Sequence, residues 1–366
     1  MKQAAQDGAR NLLGNCAGMT PGQTLLLIAE DPAHGYYEAA TASAVIEAAL
    51  SLGLRPVVRE LPFQPDPHPL APQLLDEMRA ADQVLFLART GDQMRFDPAM
   101  AGIRPVVSYA LNAAALASDF GRAHHHAFVA LKRRIDAAMA AAGTIRVTCA
   151  LGTDLAGPGR AAECDTSILR FPMTVFAPLA MAGYSGRIAQ AGFLTGTGSR
   201  YYAPYTVPLD DVLFVHIDGH RIVGFAGTPS DMDRAARHYR DIGDRFGIPW
   251  DHVHSWHAGI HPGCRFDGLA GDAPERWSGS AFGSPRVMHL HTCGDYAPGE
   301  ISLNVTDPTI ALDGVEVWKQ GRLYPALIPG GADILARYDC AAKAFALPPR
   351  PIGLGPGNRL SQLQSR

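Results

Sequence analysis

Strand and helix signals alternate along residues 24–142, and few folds accept that order. The turn Pro21-Gly22 precedes an apolar run, Leu25–Ala29, of the length of a buried strand. After Asp31-Pro32, the stretch Tyr36–Leu52 is Ala-rich with helical periodicity. It stops at Gly53, a residue suited to the left-handed position that closes a helix. Val57–Leu61, Val84–Leu87 and Val106–Tyr109 read as further strands, and Gln73–Ala81 and Ala123–Ala142 as helices. Strands joined through helices predict a mostly parallel sheet covered by helices, an α/β domain over residues 1–143.

The rhythm changes at Thr144. Ile145–Ala150 reads as a strand, and the chain to Asp210 is rich in Gly, Pro and aromatic residues with few helix signals. Val212–Ile217, the turn Asp218-Gly219 and Arg221–Phe225 predict a hairpin. Thr228-Pro229-Ser230-Asp231 supplies a capping threonine, a proline at the first helical position and an acid in the first turn, opening a helix to Phe246. Short strands follow at Val253–Trp256, Val287–His291, Ile301–Val305, Thr309–Leu312 and Val315–Lys319. Residues 144–346 therefore read as an α+β, mostly antiparallel C-terminal domain. The tail 347–366, with its Pro-Pro-Arg-Pro and Gly-Leu-Gly-Pro-Gly-Asn segments, reads as extended or disordered.

Composition bounds the function. Thirty-two Lys and Arg against 35 Asp and Glu give a net charge of −3, which argues against a protein that grips nucleic acid by counter-ion release. No apolar stretch reaches the ~18–20 residues that span a bilayer, and the N-terminus lacks the apolar core of a signal peptide. The six cysteines form no C-x-x-C pair and read as reduced thiols, so a cytoplasmic protein with a small-molecule substrate is expected. Histidine is skewed: nine of the 14 fall between His216 and His291.

That skew resolves into two groups. His252, His254, His257 and His261 lie within ten residues; on a regular strand His252 and His254 share a face and His257 takes the other. His289-Leu290-His291 puts two imidazoles on one face of one strand, a spacing suited to a divalent metal. A hydrogen-bonded core pair is the competing interpretation. Glu300, opening the next strand, is the first choice for a carboxylate ligand, with Asp295 and Asp307 as alternatives. Cys264 and Cys293 lie near both groups and read as small core residues, while His124-His125-His126 reads as helix surface. No G-x-G-x-x-G loop follows a strand and no G-x-S-x-G elbow occurs.

Several segments, in order, resemble the aminopeptidase T-like superfamily, which also contains the 2,5-dihydroxypyridine 5,6-dioxygenases. They are Asn15–Thr24 with the strand after it, Arg146-Val147-Thr148 with Gly152-Thr153-Asp154-Leu155, Asp218–Val223, and Pro308–Gly314. The resemblance spans roughly residues 10 to 325. It implies an N-terminal α/β domain, a C-terminal metal-binding domain and a homo-oligomer. The first ligand of the dioxygenases precedes a turn that here resembles Gly259-Ile260-His261-Pro262. Counting back reaches Ser255, flanked by His254 and His257. The family's later H-x-D falls on Glu300-Ile301-Ser302, so that motif is not kept. The histidine that the peptidases carry matches either His289 or His291.

The expectation is thus a mononuclear Fe(II) enzyme with ligands drawn from His254 or His257, His289 and His291, and Glu300. Those of His254, His257 and His261 that are not ligands are the candidates to move a substrate proton. Ring opening of a hydroxylated pyridine or related aromatic is the implied reaction. A zinc or two-metal hydrolase acting on a peptide, amide or lactam is the rival, and a metal-free ligand-binding homologue the third possibility.

Overall fold

The computed structural model describes residues 2–65, 69–162, 168–198, 200–295 and 299–360. The chain divides into two compact units. The first takes Met1–Val129, Thr166–Thr174 and Tyr338–Ala344, so it draws two segments from beyond the position-143 boundary drawn from sequence.

The sheet of this unit runs Arg55–Leu61, Thr24–Glu30, Gln83–Leu87, Val106–Ser108, Leu169–Phe171, and every neighbouring pair is parallel. Its central strands are apolar throughout because helices cover both faces of such a sheet. Leu26, Ile28, Val84 and Phe86 are all buried in one core. The last strand went unread in the sequence; it is three residues long and its partner Val106 lies far back in the chain.

At the carboxyl ends of the first and third strands in chain order, Arg89 meets Glu30. The Arg89 guanidinium donates through Nη2 to Glu30 Oε1 at 2.6 Å and through Nε at 3.1 Å. Both side chains are at most 5% exposed. The Arg89 guanidinium carbon lies 3.3 Å from the centroid of the Phe63 ring.

The reading of His124–His126 as surface needs correction at its middle member. His125 starts the helix His125–Ala141, stacks on Phe171 and receives cover from the strand that carries it. Its backbone N–H donates to Asn11 Oδ1.

The second unit, Ala130–Asp165, Val175–Arg337 and Phe345–Arg366, holds two antiparallel sheets. The larger runs Arg221–Ala226, Leu213–Asp218, Ser185–Gln190, Asp154–Gly157, Ile145–Thr148, Thr309–Leu312, Val315–Lys319, Arg322–Leu323. The smaller runs Thr206–Pro208, Phe193–Gly196, Ile301–Thr306, Val287–Thr292, Val253–Ala258, Leu179–Ala180. The α/β plus α+β architecture expected from the sequence is therefore present. The first hairpin turns at Gly219-His220, one residue later than expected, since Asp218 pairs with Arg221 and Gly219 takes φ 59°. The helix Pro229–Phe246 starts and stops as its sequence dictates: the Thr228 side chain accepts from the Asp231 N–H, and Gly247 closes it at φ 64°.

The tail lacks regular structure apart from one turn of 3-10 helix, yet residues 351–360 are packed. Trp277 Nε1 donates to Ile352 O at 2.8 Å, and Ile352 and Leu360 are buried with Phe193, Trp277 and Val287. Residues 361–366 of that tail lie outside the described residues. Five thiols (Cys16, Cys149, Cys264, Cys293, Cys340) are free, and Cys164 is outside the described residues. No helix among the described residues is long and apolar enough to cross a membrane.

Two buried histidines make stability depend on pH. Desolvation lowers both His125 and His238 from 6.5 to about 4. The unfolded chain therefore takes up protons between about pH 6.5 and pH 4 that the folded chain refuses. Stability contributed by the neutral rings is fully present above pH 6.5 and is lost as pH falls toward 4. Denaturant titrations across that window are expected to show the unfolding free energy declining with acid. The decline should be shallower in His238→Phe; an unchanged slope in that variant excludes His238 as a contributor.

Candidate metal centre

The smaller sheet of the second unit carries the histidine groups. In Val253–Ala258 a bulge falls at His254: Val253 pairs with Thr292, but Ser255 pairs with His291. The extra residue resets the alternation, so Ser255 and His257 share one face and His254 is displaced from the ladder. His257 then lies directly opposite His289, and Ser255 opposite His291. The H-x-H spacing puts His289 and His291 on that same face, as their period of two predicts.

The three imidazoles converge. His257 Nε2 is 2.7 Å from His289 Nε2 and 3.2 Å from His291 Nε2. One ring nitrogen from each lies within 4.8 Å of the others, and the three residues are only 4–5% exposed. His257 Nδ1 is 3.0 Å from Phe176 O. A carbonyl only accepts, so Nδ1 carries the hydrogen and Nε2 of the neutral ring presents its lone pair to the other two rings. Phe282 stacks on His289 at 4.2 Å between centroids and 26° between planes, and Phe176 meets His257 edge-on.

The donor set fits a metal. Nitrogens bound to one ion at ~2.1 Å lie roughly 2.9–3.4 Å apart, and two separations already stand close to that span. A carbonyl behind a ligating imidazole is also the usual way a protein fixes the tautomer of a metal ligand.

The other expected site residues stand elsewhere. His254 is half-buried on the bulge, with Nδ1 at 2.7 Å from Ser255 Oγ. His261 is fully buried beyond the strand end; its Nδ1 accepts from the Gly263 N–H, and its N–H donates to Gly283 O. Gly259, two residues earlier, passes so close to the chain that a Cβ would sit 2.2 Å from Ser284 O. Glu300 is buried, with one carboxylate oxygen 3.7 Å from Arg200 Nε, and it is not in the three-histidine group. His252 pairs with His220 instead, their ring centroids 5.4 Å apart. Burial raises the thiols of Cys264 and Cys293, the latter to about 12 with help from Glu300, so neither is a thiolate near neutrality.

Sequence reading passed over part of the setting. Across the next strand Asn304 lies opposite His289 and Ser302 opposite His291, and Thr195 lies opposite Ser302 one strand further on. All three are buried. The alternation Ile301-Ser302-Leu303-Asn304-Val305 carries the signal for Ser302 and Asn304: two polar residues at period two between apolar ones. The Phe176 carbonyl has no sequence signal, being backbone.

This two-part α/β and antiparallel α+β architecture is shared with known enzymes. The 2,5-dihydroxypyridine dioxygenase from Pseudomonas putida KT2440 is similar over 88% of this chain and 97% of its own, with a TM-score of 0.55 and 15% identity. AmpT from Thermus thermophilus is similar over 88% of this chain and 99% of its own, with a TM-score of 0.49 and 12% identity. The likeness to the dioxygenase bears out, at the level of fold, the resemblance to the aminopeptidase T-like superfamily. No protein-family model and no curated protein matches the sequence.

Proposed function

We propose that the protein is a mononuclear metal enzyme in which His257, His289 and His291 hold the ion. Its reaction would be ring opening of a hydroxylated pyridine or related small aromatic by dioxygen. The observation that carries this is the convergence of three buried imidazole nitrogens on one sheet face. The fold likeness to a 2,5-dihydroxypyridine dioxygenase supports the reaction class. Two-metal hydrolysis is less well supported, because bridging a pair of ions calls for carboxylates and the group holds none among the described residues.

When bound, Fe(II) supplies a Lewis acid with open positions for a chelating substrate and dioxygen. The chain's own contributions are specific. The Phe176 carbonyl holds His257 in the tautomer that binds a cation. Phe282 fixes the plane of His289 and keeps water from one side of it. His254 and His261 are the imidazoles available to move a substrate hydroxyl proton.

The test is anaerobic loading with Fe(II), followed by metal analysis and oxygen uptake with 2,5-dihydroxypyridine and related hydroxylated aromatics. About one iron per chain and oxygen uptake in step with substrate loss are expected. Zinc retained in place of iron, with hydrolysis of peptide or amide substrates, would instead establish the hydrolase.

A further inference from the structure

The charge of the donor set constrains what binds with the metal. Three neutral imidazoles leave a divalent ion with its full charge inside a site whose ligands are almost wholly buried. An uncompensated charge in such a setting is costly, so an anion must accompany it. Glu300, the nearest acid in sequence, has its carboxylate at Arg200 and stands outside the three-histidine group.

The face beside the imidazoles is built to receive an anion. Ser302 and Asn304 flank His291 and His289, and Thr195 continues the row. Thr195 Oγ1 is buried and makes no hydrogen bond. Asn304 Nδ2 has two hydrogens and donates one bond, to Ser302 O at 3.4 Å. Hydroxyl and amide donors can solvate an oxyanion and add no charge of their own.

We infer that the missing negative charge is brought by the substrate: the site binds its metal together with a small chelating oxyanion, a deprotonated hydroxyl next to a second donor atom. The inference rests on the metal site proposed above and names its substrate class. By linkage, metal and anion must then raise each other's affinity by the same factor.

Azide is a suitable probe, since it binds cobalt(II) weakly in water. Cobalt(II) affinity is measured by visible absorption in sodium azide and, at equal ionic strength, in sodium perchlorate. Azide is expected to tighten cobalt binding by roughly tenfold or more and to change the cobalt spectrum. Ser302→Asp, which puts a carboxylate beside His291, is expected to bind cobalt more tightly in perchlorate and to lose the azide effect. Cobalt bound equally well in both salts by the unaltered protein overturns the inference and leaves the metal site standing. A weakening of cobalt binding in Glu300→Gln, with no azide effect, identifies Glu300 as the charge donor and also overturns it. No cobalt binding at all removes the metal site and the inference together.

Discussion

His257→Phe is expected to lose its metal. Of the three imidazoles, His257 is the one within 3.2 Å of both others, and its tautomer is fixed from behind by Phe176 O. Without it only the H-x-H pair on one strand remains, and two neutral ligands hold a divalent ion poorly. Loss of an outer partner of a metal ligand alone lowers affinity about 10–100-fold, so removal of the ligand itself is expected to exceed roughly 100-fold. Phenylalanine keeps most of the ring volume, which limits the cavity that alanine would leave. The readouts are metal content after dialysis and cobalt affinity, with circular dichroism to show that the fold persists. A folded His257→Phe protein with wild-type metal content would falsify the three-histidine site.

Arg89→Ala is expected to produce the largest loss of stability in the parallel-sheet unit. Glu30 accepts from Arg89 through both the side chain and the backbone N–H, and neither side chain reaches solvent to any useful extent. Removing the guanidinium strands a carboxylate in the interior, which typically costs about 3–5 kcal/mol. The cation also lies over the Phe63 and Tyr36 rings, so its stem and face contribute packing besides charge. Replacing both partners, as Glu30→Met with Arg89→Leu, is expected to cost much less than Arg89→Ala alone, because no buried charge is left behind. Guanidinium titrations of the single and double variants measure the difference. Equal losses in the two would mean that the ion pair itself, and not the stranded charge, carries the energy.

The parallel sheet was legible because its central strands are apolar on both faces, and a run such as Leu25–Ala29 has no other economical fold. Leu169–Phe171 was not, since three residues carry no periodicity and pairing is settled by a strand far away. In the metal centre, the H-x-H spacing sufficed for His289 and His291. The choice between His254 and His257 could not be made, because strict alternation breaks at a bulge that no local residue type announces. Glu300 was singled out by its position after His291, but side-chain reach depends on where Arg200 stands. The tail showed its turn chemistry but hid its packing, because Ile352 and Leu360 find their apolar partners in a distant helix and strands.

The interleaved segments of the first unit bear on how the protein is made. Val106–Ser108 leaves the ribosome about sixty residues before Leu169–Phe171, an interval of roughly 3–12 s at ordinary rates of translation. Throughout that time an apolar strand edge stands open in the nascent chain, the kind of edge that recruits other chains. Expression of the first 143 residues alone would make that exposure permanent. Slow elongation or early termination there should therefore favour aggregates, and chaperone supply during synthesis should govern yield more than the finished protein's stability does.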